Sequence, residues 1–122
     1  QLEPFVEPLG AERMAEIKAT WPGPFTWLLP ARPQIPRWLT GSHETLAVRV
    51  TAHPLAAALC RAAGGALIST SANVATRPPA RTALQVLLRL GPAADCLLVG
   101  ACGDRERCST SRDGRSGDIL RA

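Results

Sequence analysis

The run Ser69-Thr70-Ser71-Ala72-Asn73 follows directly on the apolar Ala66-Leu67-Ile68 and puts three hydroxyls and an amide into five positions. Hydroxyls and free backbone N–H groups in such a run can bind anionic oxygens, and small side chains let a ligand approach the backbone closely. The same residue types are ordinary turn formers, so the run reads either as an anion cradle or as a Ser/Thr turn. Arg49, within Leu46-Ala47-Val48-Arg49-Val50, is the second candidate. A guanidinium in an apolar strand is costly to bury unless it meets an anion; the other reading is that it faces solvent on a half-exposed strand.

Other chemistries find less support. Ser71, His53 and Asp95 could be written as a triad, but no G-x-S-x-G elbow surrounds Ser71. The chain has no G-x-x-x-x-G-K-S/T and no G-x-G-x-x-G, so neither common nucleotide loop is present. Cys60, Cys96, Cys102 and Cys108 match no usual paired zinc spacing, and only two histidines exist to complete a site. No metal ligand set is assigned. The cysteines read as small hydrophobes, Cys60 in a helical pattern and Cys96 in a strand-like one, and they fit a reducing cytoplasm. Trp21, Trp27 and Trp38 lie near prolines and near Arg32 and Arg37, where packing of a proline-rich loop is commoner than base stacking.

The elements that must hold these residues follow from periodicity. Residues 10–20 suggest an amphipathic helix with Ala11, Met14, Ala15 and Lys18 on one side and Ile17 and Trp21 nearby. Five prolines between Pro22 and Pro36 exclude helix there, leaving Phe25-Thr26-Trp27-Leu28-Leu29 as a short strand. Residues 45–50 read as a second strand. Pro54 at a first helical position, Leu55, Ala58, Leu59 and Ala62 at helical spacing, and Gly64-Gly65 as a stop define a helix. Residues 66–69 read as a short buried strand. Thr82 caps a further helix, with Leu84, Leu87 and Leu88 on its core face and Gly91 past its end. Residues 95–100 and 117–122 read as strands, and the Arg-rich segment 101–117 as a surface loop or poorly ordered connection. Strands alternating with helices argue an α/β sheet with helices packed on it.

Length and charge bound the rest. At 122 residues one domain is the default, and no apolar run approaches a membrane span. The chain starts at Gln1 without a secretory pattern, which suggests that the true start lies upstream. Of the 14 basic residues only Lys18 is lysine. From Thr45 to Ala94 there is no Asp or Glu, whereas Arg49, Arg61, Arg77, Arg81 and Arg89 fall in that window. Such a segment suits a phosphate or carboxylate ligand, or is a chance gap in an Arg-rich chain. The ten acids lie in the two flanks and read mostly as solvated surface, which disfavours paired-carboxylate hydrolysis.

Taken in order, "WPGPFTWLLPA", "IPRWLTGSHETLAVRVTAHPLAAALC" and "LISTSANVATRPPARTALQV" resemble the YrdC/Sua5/TsaC family, the threonylcarbamoyl-AMP synthases. The W-P-G-P-x-T, A-V-R-V-x-x-H-P and S-T-S-A-N motifs appear in the family's order and approximate spacing, strongly from Trp21 to Val86 and loosely after Val99. The resemblance implies a twisted open mixed α/β sheet with flanking helices and a concave basic surface. It implies an enzyme that condenses L-threonine, bicarbonate and ATP into threonylcarbamoyl-AMP and pyrophosphate for the t6A37 modification of tRNA. ATP is then a substrate, with Mg2+ shielding the leaving pyrophosphate. Double-stranded RNA or tRNA and the t6A transferase proteins that consume the adenylate are the implied partners, in the cytoplasm.

Carried over by motif, Ser71 and Asn73 match the serine and asparagine of the family's active-site set and contact the nucleotide. Thr26 borders the cavity, and Arg49 suits the carboxylate of threonine. Ser109 and Arg112 fall near the nucleotide. The chain departs from the family pattern in three places. The Lys and Arg of the active-site set would lie upstream of Gln1, so residues 1–122 are expected to be a partial domain, inactive alone. Ala75 and Thr76 stand where Ser-Gly is usual, and Ser111 where a branched apolar residue is usual. The rival readings are a non-catalytic RNA-binding module of the same fold, the related carbamoyl-transfer domain of hydrogenase maturation proteins, and an inactive remnant.

Overall fold

The computed structural model describes residues 1–103 and 109–121. Two compact units are present, Gln1–Ala66 with Arg107–Ala122, and Leu67–Glu106.

The first unit is built on a mixed four-stranded sheet. Its elements are helix α1 (Ala11–Ala19), strand β1 (Phe25–Pro30), the single turn α2 (Arg37–Thr40), strand β2 (Thr45–Val48), helix α3 (Pro54–Ala62), and strands β3 (Thr110–Asp113) and β4 (Ile119–Arg121). The order across the sheet is β2-β1-β3-β4. Strand β1 runs antiparallel to β2, with Trp27 opposite Val48 and Leu29 opposite Leu46. It runs parallel to β3, with Phe25 opposite Thr110 and Trp27 opposite Arg112. Strand β4 returns antiparallel to β3.

Alternation along β1 sends Trp27 and Leu29 to one face, where they join Val48, Ile17 of α1 and Val6 in the core. Ile17 is fully buried, with Met14 and Trp21 packed on the same cluster. The face of α1 therefore runs through Met14, Ile17 and Trp21, at spacings of three and four. The expected face through Ala15 and Lys18 is a misreading of phase, since both are exposed. Met14 was the member common to both.

Two glycines let the chain close around β1. A Cβ at Gly23 would lie 2.6 Å from the Thr20 carbonyl oxygen, and one at Gly114 would lie 2.6 Å from the Leu28 carbonyl oxygen and 2.7 Å from Leu29 Cδ2. Gly114 donates its N–H to that same Leu28 carbonyl at 2.9 Å, which holds the β3–β4 turn against β1. The expected loop over 101–117 is thus corrected at its end, where Thr110–Asp113 is a sheet strand. Its residues 104–108, Cys108 among them, lie outside the described residues.

The capping signals of α3 are met. The Ala56 N–H donates to His53 Nδ1 at 3.4 Å, Pro54 opens the helix, and Gly64 follows at φ +75. Its expected apolar face is only partly covered: Leu55 and Cys60 are half-buried, but Leu59 is 46% exposed.

The second unit contains helix α4 (Ala83–Leu90) and a short 3-10 turn, Gly91–Ala93. Thr82 Oγ1 accepts from the Gln85 N–H at 3.2 Å, and Gln85 Oε1 accepts from the Arg81 N–H at 2.8 Å. This is a capping box shifted by one donor. Other expectations fail here. Residues 66–69 and 95–100 form no strand, and Cys96 is exposed. Short apolar runs become strands only when neighbours take their backbone donors and acceptors, and Ile68 and Val99 stay 71% and 70% exposed. Leu84, Leu87 and Leu88 share a face as expected, yet none is buried. No described residue of this unit is buried.

Candidate functional site

Hydrogen bonds and strand register bring four of the expected residues to one end of the sheet in the first unit. Trp21 opens the W-P-G-P turn, donating its indole Nε1–H to the Phe25 carbonyl at 2.8 Å, and the Trp21–Pro22 bond is cis. Trp27 donates Nε1–H to Thr20 Oγ1 at 3.0 Å, and Thr20 Oγ1 donates onward to the Ile17 carbonyl at 2.7 Å. The two indoles therefore fix the path of residues 20–25, and Thr26 leaves on the first paired strand position but one.

Thr26 Oγ1 and Ser109 Oγ are 3.0 Å apart in a part-buried hydrogen bond that spans 83 residues of sequence. The Thr110 N–H donates to the Pro24 carbonyl at 3.1 Å and secures the entry of β3 beside that of β1. Arg121 Nη2 donates to the Ser109 carbonyl at 3.4 Å. Two hydroxyls, each a donor and an acceptor, thus stand side by side where the parallel strands begin.

Strand β2 reaches the same end from the other side. It stops at Val48, opposite Trp27, so the expected strand over 45–50 is shorter than predicted and Arg49 lies just beyond it, exposed. The reason is a change of partner: the Val50 carbonyl accepts from the Gly23 N–H at 2.8 Å instead of continuing the ladder. Arg49 is therefore held between Val48, paired to β1, and Val50, tied to the W-P-G-P turn. No side-chain hydrogen bond or ion pair engages it among the described residues. An exposed guanidinium on a fixed backbone can clamp a carboxylate in bidentate fashion.

Arg112 sits opposite Trp27 on β3, with its guanidinium carbon 5.5 Å from the Phe25 ring centroid and 5.7 Å from that of Trp27. Phe25 and Trp27 alternate to the same face of β1, so the two rings form a platform for the cation. Arg112 Nε is buried and has no hydrogen-bond partner among the described residues. Sequence reasoning missed the platform, although the F-x-W spacing carried its signal. Next along β3, Asp113 Oδ1 accepts from the Arg115 N–H at 2.8 Å and the Ser116 N–H at 2.9 Å. The Ser116 N–H is the main reason that the Asp113 carboxyl is held below its ordinary value; partial burial opposes it, and the Arg115 N–H and charge add to it.

Ser71 and Asn73 belong to the second unit. Ser71 is exposed and its carbonyl accepts from the Asn73 N–H at 2.9 Å; the Ala80 N–H donates to the Ala72 carbonyl at 2.8 Å and closes the loop between them. Asn73 Nδ2 donates to the Val74 carbonyl at 3.1 Å, whereas Oδ1 is buried without a partner among the described residues. The run is a turn and also holds an orphan acceptor, which asks for an N–H or O–H from a ligand. Thr76, in the position where the family resemblance has glycine, sits at φ +69.

The Sua5/YciO/YrdC family model, described as telomere recombination, matches residues 1–122. The chain is 56% identical over 121 residues to a threonylcarbamoyl-AMP synthase of Nitrosococcus oceani, covering 99% of this chain and 65% of the relative. To the enzyme of the same name from Halorhodospira halophila it is 54% identical, covering 99% and 63%. The chain thus spans a little under two thirds of these relatives. Among solved structures, P. abyssi Sua5 complexed with L-threonine superposes with a TM-score of 0.84 at 31% identity, covering 93% of this chain and 33% of that one. Motif order, mixed sheet and matched length agree, and the chain belongs to the Sua5/YciO/YrdC family.

Proposed function

We propose that this chain forms the larger part of an L-threonylcarbamoyladenylate synthase, a nucleotidyltransferase that joins L-threonine, bicarbonate and ATP into threonylcarbamoyl-AMP and pyrophosphate for t6A37 of tRNA. The observation that carries this reading is the gathering of Thr26, Arg49, Ser109 and Arg112 at one end of the sheet, by the Thr26–Ser109 hydrogen bond and the register of β1 with β2 and β3. The names of the relatives and the threonine-bound state of P. abyssi Sua5 support it.

In this reading bicarbonate supplies CO2 with loss of water, the neutral threonine amine adds to it and gives up a proton to form a carbamate, and a carbamate oxygen attacks the α-phosphorus of ATP as pyrophosphate leaves. No bond to the protein forms, so catalysis comes from positioning and charge neutralisation. Arg49 clamps the threonine carboxylate, with Thr26 beside it. The nucleotide contacts proposed by motif are Ser109 and Arg112 in the first unit and Ser71 and Asn73 in the second, with Arg112 held on its aromatic platform. Magnesium, if bound with the nucleotide, would supply charge screening for the leaving pyrophosphate. The cytoplasm is the proposed compartment, and no helix of the described residues is long and apolar enough to cross a membrane.

The test joins this chain to the part of the Nitrosococcus oceani relative outside the shared stretch. Pyrophosphate release that needs both threonine and bicarbonate is expected from the chimera and not from residues 1–122 alone. A folded chimera that releases none would overturn the reading.

A second reading is favoured by the exposure of Arg49, Arg61, Arg77, Arg81 and Arg89, all in the acid-free window. It is a double-stranded RNA or tRNA-binding module without catalysis. RNA binding that weakens steeply with salt, in a chimera without turnover, selects it.

A further inference from the structure

The second unit contains a cleft of about 380 Å³, lined by Val74, Ala75, Arg77, Pro78 and Arg89. That volume lies within the range of small-molecule sites, about 300–1,000 Å³. Among the described residues its lining includes two arginines and no acidic residue. The chain bears no acid between Thr45 and Ala94, so no acidic side chain near in sequence competes for either arginine.

The two arginines are held differently. Arg89, in the last turn of α4, donates Nη1 to the Pro78 carbonyl at 3.0 Å, which anchors the guanidinium at the cleft wall. Arg77 makes no side-chain hydrogen bond or ion pair among the described residues. Its backbone is nevertheless fixed, because its N–H donates to the Val74 carbonyl at 3.0 Å, the same oxygen that receives Asn73 Nδ2. The cleft thus begins one residue beyond Asn73.

We propose that this cleft binds a diphosphate group, one phosphate to each of Arg77 and Arg89. Each guanidinium presents a planar fork that matches two oxygens of a phosphate, and two forks across one small cleft select a ligand with two linked phosphates over a ligand with one. The ligand is the polyphosphate tail of a nucleotide or free inorganic pyrophosphate. The proposal deepens the synthase reading, resting on it for the role of the ligand: Arg77 and Arg89 then receive the leaving group as the α-phosphorus is attacked.

The test is calorimetric titration of the 122-residue chain and its Arg77→Gln and Arg77→Lys variants with inorganic pyrophosphate, ATP and AMP. Arg77 is exposed, so circular dichroism is expected to be unchanged. The wild-type chain is expected to bind pyrophosphate and ATP, with Arg77→Gln weakening both by about tenfold and Arg77→Lys falling between. AMP binding is expected to be the same in all three. Binding of pyrophosphate alone identifies the free anion as sufficient, and binding of ATP without pyrophosphate identifies the nucleotide tail; both support the site. Equal affinities in wild type and Arg77→Gln, an equal loss for AMP, or no binding of either polyphosphate overturn it. The readout is independent of turnover. A Arg77-dependent pyrophosphate site beside an inactive chimera leaves the cleft and removes the proposed reaction, and the reverse result removes the cleft alone.

Discussion

Thr26 and Ser109, 83 residues apart in sequence, share a hydrogen bond of 3.0 Å between their hydroxyl oxygens at the point where two parallel strands begin. The bond ties the W-P-G-P turn to the last quarter of the chain. It also leaves each hydroxyl with further hydrogen-bonding capacity toward a ligand. Replacing Thr26 by valine keeps the shape and removes the bond. The unfolding free energy is expected to fall by about 1 kcal/mol, read from urea denaturation. No change would mean that the two hydroxyls are satisfied as well by water.

Arg112 predicts a separation of stability from binding. Its buried Nε lacks a partner while its charge rests on Phe25 and Trp27. In Arg112→Met the apolar stem is kept and the orphan donor is removed, so stability should stay within about 1 kcal/mol of wild type. ATP affinity of the chimera should fall about tenfold or more, because a charge-assisted contact is lost. A large drop in stability with unchanged affinity would assign Arg112 to the fold alone.

For Arg49, the prediction concerns which substrate is affected. Arg49→Ala in the chimera should raise the threonine requirement more than the ATP requirement, read from KM for each in pyrophosphate release. Equal effects on both would remove the carboxylate clamp from the mechanism. Stability should change by less than about 0.5 kcal/mol, since Arg49 is exposed.

Thr76 is a β-branched residue at φ +69, in the region that favours glycine. Thr76→Gly should relieve that strain and stabilise the loop by about 1 kcal/mol, the loop gain being partly offset by the greater freedom of glycine in the unfolded chain. Slower hydrogen exchange of the amides of Arg77 and Ala80 is the direct readout. Faster exchange would show that the conformation is held by something that threonine itself provides.

Asp113 links stability to acid pH. Its carboxyl is held below its ordinary value, chiefly by the Ser116 N–H, so the folded state binds the proton less readily than the unfolded chain does. The contribution is complete above the unfolded carboxylate range, near pH 4, and is lost as pH falls through the lower folded value. Asp113→Ala should therefore lower stability at neutral pH and flatten its decline in acid, as read from thermal midpoints across that range. Parallel acid profiles would place the linkage elsewhere.

What was legible in the sequence was local. Pro54 announced the start of α3, Thr82 the start of α4, and the proline spacing after Trp21 confined β1 to a short strand. These signals survive because capping and proline geometry act within a few residues and depend on nothing distant. Motif order likewise pointed to the family, and the match over residues 1–122 agrees.

Pairing and burial were decided by tertiary structure. The sequence could not show that Thr110–Asp113, polar throughout and inside an Arg-rich stretch, would lie parallel to β1, because its strand character comes from the ladder with Phe25–Leu28 and not from its own side chains. Nor could it show that Leu84, Leu87 and Leu88 would remain exposed while Met14, Ile17 and Trp21 packed inward. Periodicity states which residues share a face, but only a neighbouring surface buries that face. The aromatic platform beneath Arg112 has the same origin: β1 supplies both rings by its own alternation, and the register of β3 brings the cation over them.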